Sequence, residues 1–111
     1  MLERDYQAKL IKKIEKRFKG CMVLKQDSSL RQGIPDLLVL WNDRWFALEV
    51  KASAKAPYQP NQEYYLEVLN NMAFSATIYP ENEEAVLDAI QQASSTRRSS
   101  RISRREQVSL D

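Results

Sequence analysis

"GIPDLLVLWNDRWFALEVKAS", residues 33–53, sets two strand-forming runs around the tight turn "NDR" at 42–44. Gly33 and Pro35 break the chain ahead of it. The near-continuous apolar run "DLLVLW", 36–41, suits a strand covered on both faces. In the return strand, 45–51, side chains alternate: Trp45, Ala47, Glu49 and Lys51 point one way, Phe46, Leu48 and Val50 the other. The turn lays the start of the first strand beside the end of the second, so Asp36 arrives next to Glu49 and Lys51 at one end of the sheet. Two carboxylates converging there repel unless a cation sits between them. With oxygen donors and neither His nor Cys nearby, that cation is Mg²⁺ or Mn²⁺ rather than zinc. The Val50 carbonyl would add a third oxygen. Lys51 can then orient or deprotonate a water at the cation, or stabilise charge developing on a phosphorus centre. The plainer alternative is a surface Glu49–Lys51 ion pair with a turn-forming Asp36.

The rest of the chain reads outward from this hairpin. Residues 2–19 form a helix in which Tyr6, Leu10, Ile14 and Phe18 share a face. Glu3 falls on that apolar face and Glu15 at its margin. Glu3 is a further ligand or water-positioner if the helix crosses the same sheet end, and otherwise a charge favouring the helix dipole. Gly20 ends the helix, and "CMVLKQD", 21–27, is a strand. A two-proline loop leads to a helix over 61–73 with Tyr65, Leu66, Leu69 and Met72 or Ala73 inward. A short strand runs over 74–79, and Pro80 opens a last helix to Ala93. The order is αβββαβα, an α/β fold.

At 111 residues the chain holds one domain. It lacks histidine, which excludes Ser-His-Asp and Cys-His catalysis and most zinc sites. Its two glycines are too few and too far apart for a phosphate-cradling loop. No apolar run suffices to cross a bilayer, and the lone cysteine, Cys21, fits a reducing compartment, so no membrane partner and a cytoplasmic location are expected. The net charge is +2, but the segment from Ser94 onward holds five arginines against Glu106 and Asp111, leaving residues 1–93 at −1. This Ser/Arg-rich tail, 94–111, reads as disordered. Arg97 and Arg98 are candidate phosphate contacts within it, against a solubilising or protein-docking role. Lys25, Arg31 and Lys55 are the corresponding candidates in the domain. Trp41 and Trp45 read as core or dimer-interface residues.

Pro35-Asp36 followed by Glu49-Val50-Lys51 resembles the PD-(D/E)xK nuclease signature. The G-x-P-D form, a glutamate in the first helix and a glutamine opening the helix after the E-x-K strand resemble its VRR-NUC branch. That branch includes small stand-alone phage nucleases and is related to Holliday-junction resolvases. The resemblance covers roughly residues 1–93. It implies a restriction-endonuclease-like αβββαβ core with a mixed sheet flanked by helices, followed here by a C-terminal helix. It implies an Mg²⁺-dependent DNA endonuclease, selective for branched or junction DNA, in a bacterial or phage-infected cell. Asp36, Glu49, the Val50 carbonyl and Glu3 would hold the metal, Lys51 would be the catalytic lysine, and Gln62 the helix glutamine. Glu15 is a weaker rival to Glu3, and Gln59 to Gln62. The alternative is a non-catalytic nucleic-acid-binding module of the same fold. A four-way junction is large for so small a core, which favours a homodimer.

Overall fold

Tyr6, Leu10, Ile14 and Phe18 recur at helical spacing because they line one buried face. In the computed structural model, which describes residues 1–27 and 29–95, the first three lie within α1 (Glu3–Arg17) and Phe18 caps it. Gly20, at φ +87°, turns the chain into β1 (Met22–Lys25). The hairpin follows as β2 (Leu37–Trp41) and β3 (Arg44–Val50), joined at Asn42 and Asp43. Next come α2 (Gln62–Met72), β4 (Ser75–Ile78) and α3 (Glu83–Ser95). The strand order is β1-β2-β3-β4, antiparallel except for the parallel β3–β4 pair. The chain is thus a small α/β domain with a four-stranded mixed sheet and three helices. No helix among the described residues is long and apolar enough to cross a membrane.

Two boundaries differ from expectation. Pro80 does not open α3. Asn82 accepts the Tyr79 N–H at 2.8 Å and donates to the Thr77 carbonyl at 2.9 Å, and its own carbonyl takes the Val86 N–H at 3.0 Å. An amide side chain that satisfies the turn outcompetes the preset φ of proline, so the helix starts at Glu83. At its other end α3 runs on to Ser95, into the segment read as tail, while Arg97 and Arg98 lie outside the described residues.

One sheet face carries the core: Leu37, Val39, Phe46, Leu48, Val50 and Ile78 meet α1 and the Val86, Leu87 and Ile90 stripe of α3. The two helices are pinned together at buried Glu83, which accepts from the Tyr6 hydroxyl at 2.9 Å and pairs with Lys13. Burial, and then the Glu83 hydrogen bond, push the Tyr6 phenol well above its ordinary range. Arg17 adds contacts to Asp88 at 2.5 Å and Gln91 at 3.2 Å.

The opposite face is only partly covered. α2 has no fully buried residue, Leu38 is half-buried, and Met22, Leu24 and Leu40 are exposed. The apolar run of β2 therefore overstated its burial: hydrophobic side chains alone do not reveal whether a second layer reaches across to meet them. This open face is the one that bears Glu49.

A carboxylate, lysine and glutamine cluster at the end of the sheet

The β2–β3 register places Leu37 opposite Leu48, so residues just before β2 stand against Glu49 and Val50. Asp36 there completes the ladder with its side chain, its Oδ2 accepting the Val50 N–H at 2.8 Å. In β3, Ala47 and Lys51 donate their N–H groups to Phe74 and Ile78 of the β4 side. By alternation Val50 turns its N–H, and with it its carbonyl, to the β2 side of the strand. Asp36 and Glu49 therefore share one corner, beside the Val50 backbone.

Glu49 is 1 % exposed. Its Oε2 accepts from Gln62 Nε2 at 2.9 Å and faces Lys51 Nζ at 3.5 Å. Its Oε1 is buried with no hydrogen-bond partner. Burial first, and then the negative charge of Asp36, push the Glu49 carboxyl up to about 8, with Lys51 opposing. Lys51 is buried too and donates to Gln62 Oε1 at 2.8 Å. Gln62 thus bridges acid and ammonium, and the Gln59 N–H, at 2.7 Å from the same Oε1, holds the amide in that orientation. Gln59 contributes backbone, not a side chain, to the cluster.

Glu3, in the first turn of α1, stands at the edge of this field: partial burial and then the charge of Asp36 raise its carboxyl, against the pull of Lys51. Glu15 lies twelve residues further along the same helix, about 18 Å at helical rise. Its charge raises the Cys21 thiol, secondary to burial, so it is removed from the cluster. Lys25, Arg31 and Lys55 are all exposed, and the Arg31 guanidinium donates to the Tyr65 hydroxyl at 3.4 Å. Trp41 stacks on Phe18 with centroids 4.5 Å apart and donates to the Lys19 carbonyl, a packing role. Half-buried Trp45 lines a groove on the open face with Leu38, Leu40 and Leu69.

Among the described residues no three carboxylate, cysteine or histidine side chains form a ready-made metal cage. A Mg²⁺ ion does not require one, since it is commonly held by one or two carboxylates and keeps several waters. The donors present fit that chemistry. Two carboxyl groups brought together, one of them buried, are what a hard cation would satisfy.

Two contacts carry no sequence signature. The Tyr58 ring lies 5.5 Å from Lys51 Nζ, and its hydroxyl meets Thr77 Oγ1 at 2.6 Å, which ties the loop to β4. The aperiodic "APYQP" loop gives no indication of where that ring lands. The second contact is at Gly33, buried at φ +95°, where an added Cβ would lie 2.6 Å from Asn61 Cβ and 2.8 Å from the Pro60 carbonyl oxygen. Asn61 itself is left-handed at φ +71° and immediately precedes Gln62. Gly33→Ala is expected to cost about 1–3 kcal/mol in urea unfolding, through overpacking and strain, and to displace the start of α2. A variant as stable as wild type would show that the two loops separate freely.

No family model matches the chain. No curated protein matches it either.

Proposed function

We propose that the chain is a metal-dependent DNA endonuclease of the PD-(D/E)xK kind, with Mg²⁺ or Mn²⁺ held by Asp36, Glu49 and the Val50 carbonyl. The observation that carries this reading is the pairing of Glu49 with Asp36: a buried carboxyl with one oxygen fixed by Gln62 is held against a second carboxylate whose charge raises it. An ion pair made for stability alone would satisfy both oxygens or leave them in water. The element order also suits a restriction-endonuclease-like core.

Bound there, the cation would supply Lewis-acid polarisation of a phosphodiester and a more acidic water. The chain does the rest. Asp36 holds the end of β3 through the Val50 N–H. Glu49 would hold the cation as a carboxylate, with its other oxygen fixed by Gln62. Lys51, aimed by Gln62 and flanked by Tyr58, brings a positive charge to where charge develops on phosphorus. Glu3, at the mouth, adds an acid able to position a water. Lys25, Arg31 and Lys55 hold the DNA backbone, so binding weakens steeply with salt. Branched DNA is the preferred substrate class, cut by a homodimer.

The test is incubation of the purified chain with labelled four-way-junction, flap and linear duplex DNA in Mg²⁺, Mn²⁺ or EDTA. Cleavage that needs metal and disappears in Lys51→Ala is expected. DNA bound but uncut under every metal would leave a binding module of the same fold. Gln62→Ala should retain the fold and lose about 10–100-fold in rate, the usual cost of removing a group that orients others at a metal site. An unchanged rate would mean that Gln62 only braces the loop.

A further inference from the structure

Tyr58 stands beside the cluster with much of its ring still in solvent. β3 and β4 pair with Glu49 opposite Thr77, so both side chains rise from the open face. The Tyr58 hydroxyl meets Thr77 Oγ1 at 2.6 Å, and Lys51 Nζ lies over the ring, 5.5 Å from its centroid. The ring therefore sits on the β4 side of Glu49 and Lys51, across the corner from Asp36 on the β2 side. Its mounting is stiff. Pro57 and Pro60 preset the backbone on either side, and the Gln59 N–H is tied to Gln62 Oε1 at 2.7 Å. Tyr58 nevertheless remains 42 % exposed. A ring kept for packing would be covered. Here the hydroxyl is engaged and one face carries the ammonium, so the exposure belongs to the rest of the ring.

We propose that Tyr58 is a stacking platform for an unpaired nucleobase of the strand held at Lys51, an inference that deepens the nuclease reading and rests on it. A phosphate drawn to Lys51 brings the base of its nucleotide to the neighbouring ring. Every base has a π-face that stacks on an aromatic side chain, whatever its identity. In a duplex both faces of a base are taken by its neighbours, so a paired base offers none to Tyr58. The base of a flap, a gap or a branch point does. The ring thus selects among DNA structures without selecting sequence. Because Thr77 and the two prolines fix it before DNA arrives, little conformational freedom is lost on stacking. The competing role is to brace Lys51 through the π-face alone, and it leaves a different signature. Bracing sets the cutting rate on every substrate alike, whereas a platform sets the affinity for unpaired strands.

The test is fluorescence anisotropy of the full chain in EDTA at low salt, so that nothing is cut. The probes are a labelled single strand, a flapped duplex and a blunt duplex of the same sequence. Tyr58→Leu, with wild-type circular dichroism, should weaken binding of the single strand and the flap about tenfold or more, and change duplex binding less than about twofold. Tyr58→Phe, which keeps the ring, should recover most of the loss. Irradiation of wild type with single strands carrying 5-iodouracil at successive positions should give an adduct on Tyr58. Equal losses on all three DNAs, or full binding of unpaired DNA by Tyr58→Leu, overturn the proposal, as do adducts found only elsewhere in the chain. Wild-type cleavage in Mg²⁺ beside any of these results leaves the nuclease reading standing. A chain that binds no DNA overturns both.

Discussion

Asp36→Asn is expected to lower metal-dependent cleavage by roughly a thousandfold while leaving the metal-free fold at least as stable as wild type. The two halves of this expectation have different causes. The introduced amide keeps an oxygen for the Val50 N–H, which Asp36 accepts at 2.8 Å, so the end of the sheet remains closed. The substitution removes the charge that, after burial, does most to raise the Glu49 carboxyl. Relief of that repulsion favours the folded state, whereas a cation loses half of its carboxylate charge. Thermal melts should therefore show wild type gaining stability on Mg²⁺ addition and Asp36→Asn gaining little. If the variant loses stability without metal, Asp36 serves chiefly as a backbone cap and the metal reading weakens. If it cleaves normally, Asp36 is not a ligand at all.

The fold and the site were legible in the sequence to different depths, for physical reasons. Strand alternation and a tight turn fix which residues meet at a sheet end, so the meeting of Asp36 with Glu49 and Lys51 follows from local rules. The same rules say nothing about groups arriving from elsewhere in the chain. The resemblance supplied Gln62 as a position. That its amide grips Glu49 and Lys51 at once depends on how the 52–61 loop folds, and on Gly33 meeting Asn61 across it. Tyr58 reached the site without any pattern to announce it. The exposed face of β2 escaped notice because a run of leucines looks alike whether or not a second layer covers it. Asn82 displaced Pro80 at the start of α3 because side-chain bonds to a turn outweigh a preset dihedral.

The metal-free protein should lose stability as pH rises from about 4.5 to about 8, contrary to the usual behaviour of a paired carboxylate. The sign follows from Glu49, whose carboxyl, ordinarily at 4.5, is pushed up to about 8 in the folded chain. Between these values the folded state holds a proton that the unfolded state has released, so stability declines with pH across that window. The slope from one such group reaches about 1.4 kcal/mol per pH unit, which makes the whole decline a few kcal/mol. Glu3, also raised, contributes in the same direction from a more exposed position. Glu49→Gln should flatten the profile and be the more stable protein at pH 8, because a neutral amide carries no buried charge to desolvate. Added Mg²⁺ must displace the Glu49 proton, so it should stabilise wild type more at pH 8 than at pH 5.5, release protons on binding, and do neither in the variant. Urea unfolding across the range, with and without metal, reads all of this before any DNA is added. A flat metal-free profile would mean that Lys51, 3.5 Å from Oε2, offsets the burial in full. The corner would then be a self-sufficient ion pair with no charge left for a cation to satisfy.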